Sequence, residues 1–229
     1  MSDNAFEIKV IARIRTDLTS KFGIPRQSGL VEELEGLIVF EPEYRAAEAL
    51  RGIEEWSHLW LIWQFSENAG EWSPTVRPPR LGGNERVGVF ATRSPFRPNS
   101  MGLSCVRLKG VEHTRDKGTV LRVAGADLMD GTPIFDIKPY LPLADCKPEA
   151  SGGFTDTRKK RQVKVDIPDS LAGILPDDKL AALRALLAED PRPAYQDDPE
   201  RVYGFPYAGY EVKFRVEGGR AVVTGIIPE

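Results

Sequence analysis

Polar and apolar positions alternate through Phe6, Ile8, Val10, Ala12 and Ile14, the two-residue period of a strand with one buried face. Residues 36–40 predict a second, short strand. Residues 44–50 are alanine-rich, follow Pro42 and run up to Gly52, the start and stop signals of a helix. Residues 56–65 are rich in aromatic and aliphatic side chains and predict a buried strand. Trp60 and Trp63 have opposite parity within it, so at least one of them faces the core. Residues 87–91, 102–111, 119–123 and 134–137 predict further strands. Residues 66–86 are instead a long polar stretch with Pro74, Pro78, Pro79 and the pair Gly82 and Gly83. Loops longer than about 12–15 residues are usually functional or disordered.

The pattern changes near Ala150, where Ser151, Gly152 and Gly153 read as a linker. Leu180, Leu183 and Leu187 mark one face of a helix over residues 177–189, ended by Pro191 and Pro193. Tyr210, Val212, Phe214 and Val216 alternate, Gly218 and Gly219 supply a hairpin turn, and Val222 and Val223 resume the strand pattern. The expected organisation is a mainly β domain over residues 1–150, a closed or nearly closed antiparallel barrel-like sheet, followed by a small α+β domain over residues 151–229.

A chain of 229 residues can bury a core without disulfides or a structural metal. Its longest apolar run, Leu59 to Trp63, is far short of the roughly 18 residues that span a bilayer, so no membrane partner is expected. The first residues show no charged segment followed by an apolar one, which predicts a cytoplasmic protein. Cysteines are limited to Cys105 and Cys146 and histidines to His58 and His113, which argues against a disulfide framework and a metal site. There is no GxGxxG after a strand, no GxxxxGK[ST] and no GxSxG, so dinucleotide-binding, P-loop and hydrolase-elbow classes are disfavoured.

The net charge of −3 conceals an asymmetry. Between Val76 and Arg107, the arginines Arg77, Arg80, Arg86, Arg93, Arg97 and Arg107 accompany a single acid, Glu85. A second basic run is Arg158, Lys159, Lys160 and Arg161. Such local patches are where an acidic protein could meet nucleic acid. Arg93 and Arg97 sit on a segment stiffened by Pro95 and Pro98, pre-organised for carboxylate or phosphate; the alternative is a solvated turn with surface pairs. Asp130, Gly131, Thr132 and Pro133 have the composition of a tight turn. Asp136, Lys138 and Tyr140 alternate after it, so a strand would place an acid, an amine and a phenol on one face. They are a proton-transfer set or, as plainly, an ion pair beside a tyrosine.

Five ordered blocks carry a resemblance. They are residues 23–27 (Gly-Ile-Pro-Arg-Gln), the His58-Leu59-Trp60 strand, residues 76–83 (Val-Arg-Pro-Pro-Arg-Leu-Gly-Gly), residues 93–104, and residues 127–140 around Asp-Gly-Thr-Pro and Asp-Ile-Lys-Pro-Tyr. Together they resemble the TrmO (TsaA-like) family, and residues 190–195 resemble the appended domain of its bacterial members. The resemblance implies a homodimeric S-adenosylmethionine-dependent methyltransferase with a compact β-barrel cofactor domain. Its substrate would be tRNA, at N6 of the threonylcarbamoylated adenosine beside the anticodon. It implies cofactor contacts at Pro25, Arg26 and Gln27, at Ser66 and Glu67, at Arg93 and Leu103, and at Asp130, Gly131, Thr132 and Pro133. Ser66 stands where the family usually has His, and Ser100-Met101 where it usually has Pro-Ile.

On this reading the attacking nitrogen shares its lone pair with a carbonyl, so removing its proton aids transfer. Asp136 or Tyr140 is the expected acceptor, with Lys138 setting the local field. Arg77, Arg80, Arg86 and Arg97 are expected on tRNA phosphates, and Arg158, Lys159, Lys160 and Arg161 on a continuation of that path. Two other classes remain open from the residues alone: a non-catalytic RNA-binding barrel, and a methyltransferase acting on a small molecule.

Overall fold

The computed structural model describes residues 6–68, 71–157, 162–192 and 198–229. The basic run Arg158, Lys159, Lys160 and Arg161 and the segment 193–197 lie outside the described residues. Strands β1 (Ala12–Thr16), β2 (Glu35–Phe40) and β3 (His58–Gln64) are followed by the short pair β4 (Thr75–Val76) and β5 (Val87–Gly88). Then come β6 (Met101–Thr114), β7 (Gly118–Ala124) and β8 (Pro133–Pro139). The order β1-β2-β7-β6-β3-β8 closes into a barrel, and every neighbouring pair in it is antiparallel. Closure removes the exposed edges that an open sheet would leave.

The pleat decides what fills the barrel. Ile14, Ile38, Leu59, Leu61, Val106, Leu121 and Ile134 are fully buried and form its core. Trp63 joins them, whereas Trp60 points to the outer face and donates its indole N–H to Asp145 Oδ2 at 2.9 Å. Among the described residues of the long excursion between β3 and β6, β4 pairs with β5 and Pro79–Leu81 forms a 3-10 turn.

A second sheet has the order β10-β11-β12-β9, formed by β9 (Lys164–Asp166), β10 (Tyr203–Tyr207), β11 (Tyr210–Glu217) and β12 (Arg220–Pro228). The helix Asp177–Ala188 packs on it through Ala182, Leu183, Leu186 and Leu187. This core also takes Leu18, Val31 and Leu34 from the loop between β1 and β2. That loop therefore belongs to both parts: it leaves the barrel, packs against the second core and returns. Lys179 pairs with Asp17 at its start, and Gly23 adopts φ +98 where an added Cβ would lie 2.7 Å from Phe205 Cδ2.

Two expected elements take another form. Residues 44–50 are not one helix but the 3-10 turns Pro42–Tyr44 and Ala47–Leu50, because Ala46 is extended and Arg45 Nε ties back to Phe40 O at 2.9 Å. Residues 87–91 leave the strand after Gly88 and finish as a 3-10 turn. Among the described residues, no helix is long and apolar enough to cross a membrane, and no group of three His, Cys, Asp or Glu side chains is placed to hold a metal ion.

Candidate functional site

A cavity of about 650 Å³ opens at one end of the barrel, within the usual size of a small-molecule site. Four segments meet there because antiparallel strands bring them to the same end: the β1–β2 loop, the end of β3, the start of β6 and the turn after β7. The β1–β2 loop contributes Lys21, Ile24, Pro25, Arg26 and Gln27. Ser28 anchors it by accepting the Cys105 N–H at 3.1 Å. Past β3 the wall continues through Phe65, Ser66, Glu67 and Asn68, and Asn68 holds Pro95 O at 3.0 Å and Ser100 Oγ at 3.3 Å. The 92–100 loop adds Arg93, Phe96 and Arg97, and Arg93 donates to Gln27 Oε1 across the opening. Met101, Gly102 and Leu103 complete one side.

The wall at Gly102 is tightly fitted. A Cβ there would lie 2.2 Å from Trp63 Cε2, so only glycine admits the indole. Trp63 Nε1 donates to the buried Ser104 Oγ at 2.9 Å, and Ser104 Oγ donates to Asp127 Oδ1 at 2.5 Å. Asp127 lines the cavity. Loss of solvent pushes its carboxyl above the ordinary range, opposed by the Ser104 hydroxyl, by backbone N–H donors and by the Arg93 charge.

Of the cofactor contacts expected above, Pro25, Arg26, Gln27, Ser66, Glu67, Arg93, Leu103 and Thr132 line this cavity. The rest of the Asp-Gly-Thr-Pro turn faces β1 instead. Asp130 accepts the Thr16 N–H at 3.0 Å and meets Arg15 Nη1 at 3.4 Å, Gly131 donates to Ile14 O at 2.8 Å, and Pro133 is buried at the β1–β8 seam. Asp136, Lys138 and Tyr140 share one face, but it is the outer face, beside Ile62 and Trp60. Asp136 pairs with Lys138 at 2.9 Å. Partial loss of solvent and then the neighbouring Cys146, Cys105 and Asp145 push the Tyr140 phenol up, so it keeps its proton at neutral pH.

The arginines divide by environment. Arg77 is exposed, as is Arg86, which is braced on Thr75 Oγ1 at 2.8 Å; Arg80 sits on the Pro79–Leu81 turn. Arg97 is half-buried, donates to Thr92 O at 2.7 Å and lies 5.6 Å from the centre of the exposed Phe90 ring. It therefore closes its own loop before it can serve a ligand. Sequence reasoning passed over Asp127; its signal is a lone carboxylate between the apolar residues Ala126 and Leu128.

The tRNA-methyltransferase O N-terminal domain model matches residues 13–146, which span the barrel and its cavity, and the TrmO C-terminal domain model matches residues 162–229. The chain belongs to the TrmO family. One TrmO relative, an Escherichia coli (strain K12) protein named tRNA (adenine(37)-N6)-methyltransferase, is 41% identical over 98% of this chain and 99% of its own. An Eikenella corrodens protein of the same name is 45% identical over 75% of this chain and 97% of its own. The crystal structure of TrmO from Pseudomonas aeruginosa superposes with a TM-score of 0.80 at 30% identity, covering 97% of this chain and 98% of that one.

Proposed function

We propose that this chain transfers the methyl group of S-adenosylmethionine to N6 of threonylcarbamoylated adenosine 37 in tRNA. The coarser part, a methyltransferase acting on adenine 37 of tRNA, is supported by family membership and by the names of relatives aligned over nearly the whole chain. The observation that most supports the donor is the convergence of Pro25-Arg26-Gln27, Ser66-Glu67, Arg93 and Leu103, remote in sequence, on one cavity.

The residues there fit such a donor. Ile24, Phe65, Met101 and Leu103 offer apolar surface for a purine, Arg26, Gln27 and Arg93 offer donors for a carboxylate and hydroxyls, and Asp127 offers a negative charge to a cation. When bound, the donor supplies an electrophilic methyl group on a sulfonium. The protein's own contribution is to orient the two reactants and exclude water, which can supply several kcal/mol of the barrier. Nucleoside mass spectrometry tests the reading. Incubation with S-adenosylmethionine should add a methyl group to threonylcarbamoyladenosine and none to tRNA lacking that modification. A methyl gain on unmodified adenosine 37, or none on either tRNA, rejects it.

Arg77 and Arg86 are exposed on the β4–β5 excursion and are assigned to tRNA phosphates. Each phosphate contact adds a salt-dependent contribution to affinity. The Arg77→Ala/Arg86→Ala double variant should bind tRNA more weakly and flatten the plot of log affinity against log salt by about two. An unchanged slope would place the tRNA elsewhere.

A homodimer belongs to the same reading. The outer face of β3 and β8 carries half-buried Trp60 and Ile62, and the exposed Leu141 and Leu143 follow β8. Asp136, Lys138 and Tyr140 stand among them and reach a reaction only where a second copy, or the tRNA, covers that face.

A further inference from the structure

We propose that Asp127 is the proton acceptor of the methyl transfer, taking the hydrogen from N6 of the acceptor adenosine. The inference rests on the function proposed above. N6 enters the reaction with one hydrogen and leaves with a methyl group in its place. As the new nitrogen–carbon bond forms, the electron pair of the broken carbon–sulfur bond stays on sulfur. The pair of the N–H bond stays on nitrogen, and one proton must leave.

The described cavity lining limits where that proton can go. Lys21, Arg26, Arg93 and Arg97 offer hydrogen-bond donors and no acceptor, and no histidine is among the lining residues. The carboxylates are Glu67, which is exposed, and Asp127, which is half-buried. Asp127 is also fixed. The Ser104 hydroxyl donates to Oδ1 at 2.5 Å, and Trp63 Nε1 donates to Ser104 Oγ from behind at 2.9 Å. A positioned carboxylate made more basic by burial is matched to proton removal from a weakly acidic nitrogen. The charges agree: a carboxylate beside a sulfonium becomes a neutral acid beside a neutral thioether. Asp136, on the outer face, already has Lys138 as its partner.

The charged groups that face Asp127 are Arg93 on the 92–100 loop and, around the same cavity, Lys21, Arg26, Glu67 and Arg97. These stay in place in Asp127→Asn, whose amide oxygen still accepts from Ser104. With the Asp127 carboxyl raised in the folded state, its ionisation lowers stability as pH rises through that window, so at neutral pH Asp127→Asn should melt no lower than wild type.

Two readouts test the role. In single turnover on a threonylcarbamoylated anticodon stem-loop, Asp127→Asn should be slower by about 100-fold or more and lose the acid limb of the wild-type pH profile. In calorimetry with two buffers of different ionisation enthalpy, S-adenosylmethionine should release protons from the wild type in mild acid. S-adenosylhomocysteine should release fewer, and Asp127→Asn should release none. A near-normal rate in Asp127→Asn overturns the proposal, as does a rate loss fully accounted for by lost donor affinity, or proton release equal to that of wild type. A wild type that makes no methylated product instead rejects the parent function, because there is then no rate for the variant to lose.

Discussion

Gly102→Ala is expected to lower stability by about 1–3 kcal/mol, the usual cost of overpacking, and to reduce S-adenosylmethionine affinity more than tenfold. The added methyl group would sit 2.2–2.6 Å from Trp63 ring atoms, and the ring must move. It has little room on the core side, where Leu61 and Val106 are fully buried. The open direction is the cavity that Trp63 already lines. Moving there, the indole fills donor space and leaves Ser104 Oγ, which loosens the hydroxyl that holds Asp127. One methyl group thus acts on packing, binding and proton transfer through a single side chain. Thermal melting and calorimetric titration of the donor check both parts. A variant that melts lower but binds normally would mean that Trp63 relaxes into the core. Gly102→Ala with Trp63→Phe, which removes ring atoms at the clash, should recover most of the stability.

How the strands could be read from the chain depends on how each is buried. β2, β3 and β11 bury alternate residues against a core, and the readings at 36–40, 56–65 and 210–216 fall within a few residues of them. β10 was not legible because Tyr203–Tyr207 contains Gly204 and Pro206, both poor strand formers. Its place at the sheet edge, paired only with β11, is where a proline is tolerated. β9 has three residues, two of them exposed, and exists only because β12 offers a parallel partner. At 87–91 the apolar residues are real but the ladder ends at Val89: its N–H still bonds in register to Pro74 O at 3.0 Å, Pro74 has no N–H to return, and Val89 O accepts the Thr92 N–H at 3.1 Å to close a 3-10 turn.

The site shows a different limit. Alternation correctly placed Asp136, Lys138 and Tyr140 on one face, but alternation does not say which face of a barrel is outside. That depends on register, and the β3–β8 ladder shifts between Ile62 and Trp63, so local pattern alone cannot set it. The blocks that line the cavity carried the resemblance, yet their meeting depends on contacts such as Arg93 with Gln27, 66 positions apart. Asp130 carries a motif and proves to stitch the turn onto β1. Asp127 lies three residues before it, with no periodic signal, and acquires its chemistry only from the cavity behind it.

Phe205→Ala is expected to have the largest effect on stability, about 3–5 kcal/mol, because its ring is fully buried in the second core. The ring stands edge-on to Phe22 at 6.1 Å and to Phe214 at 6.0 Å, and it fills the space beside Gly23. Phe22 and Gly23 immediately precede Ile24, Pro25, Arg26 and Gln27 in the cavity wall. Removing the ring therefore takes away the seat of the loop as well as the centre of the second core. Arg26, which also donates to Arg192 O at 3.0 Å, should lose its fixed position along with Gln27. The expected result is a lower melting temperature together with weaker binding of S-adenosylmethionine, although Phe205 does not line the cavity. Phe205→Leu, which keeps most of the volume, should restore much of both. If donor affinity stays at the wild-type value while the melting temperature falls, the loop holds its shape from the barrel side alone, through Ser28 and Gly29. The second core would then contribute stability without shaping the site.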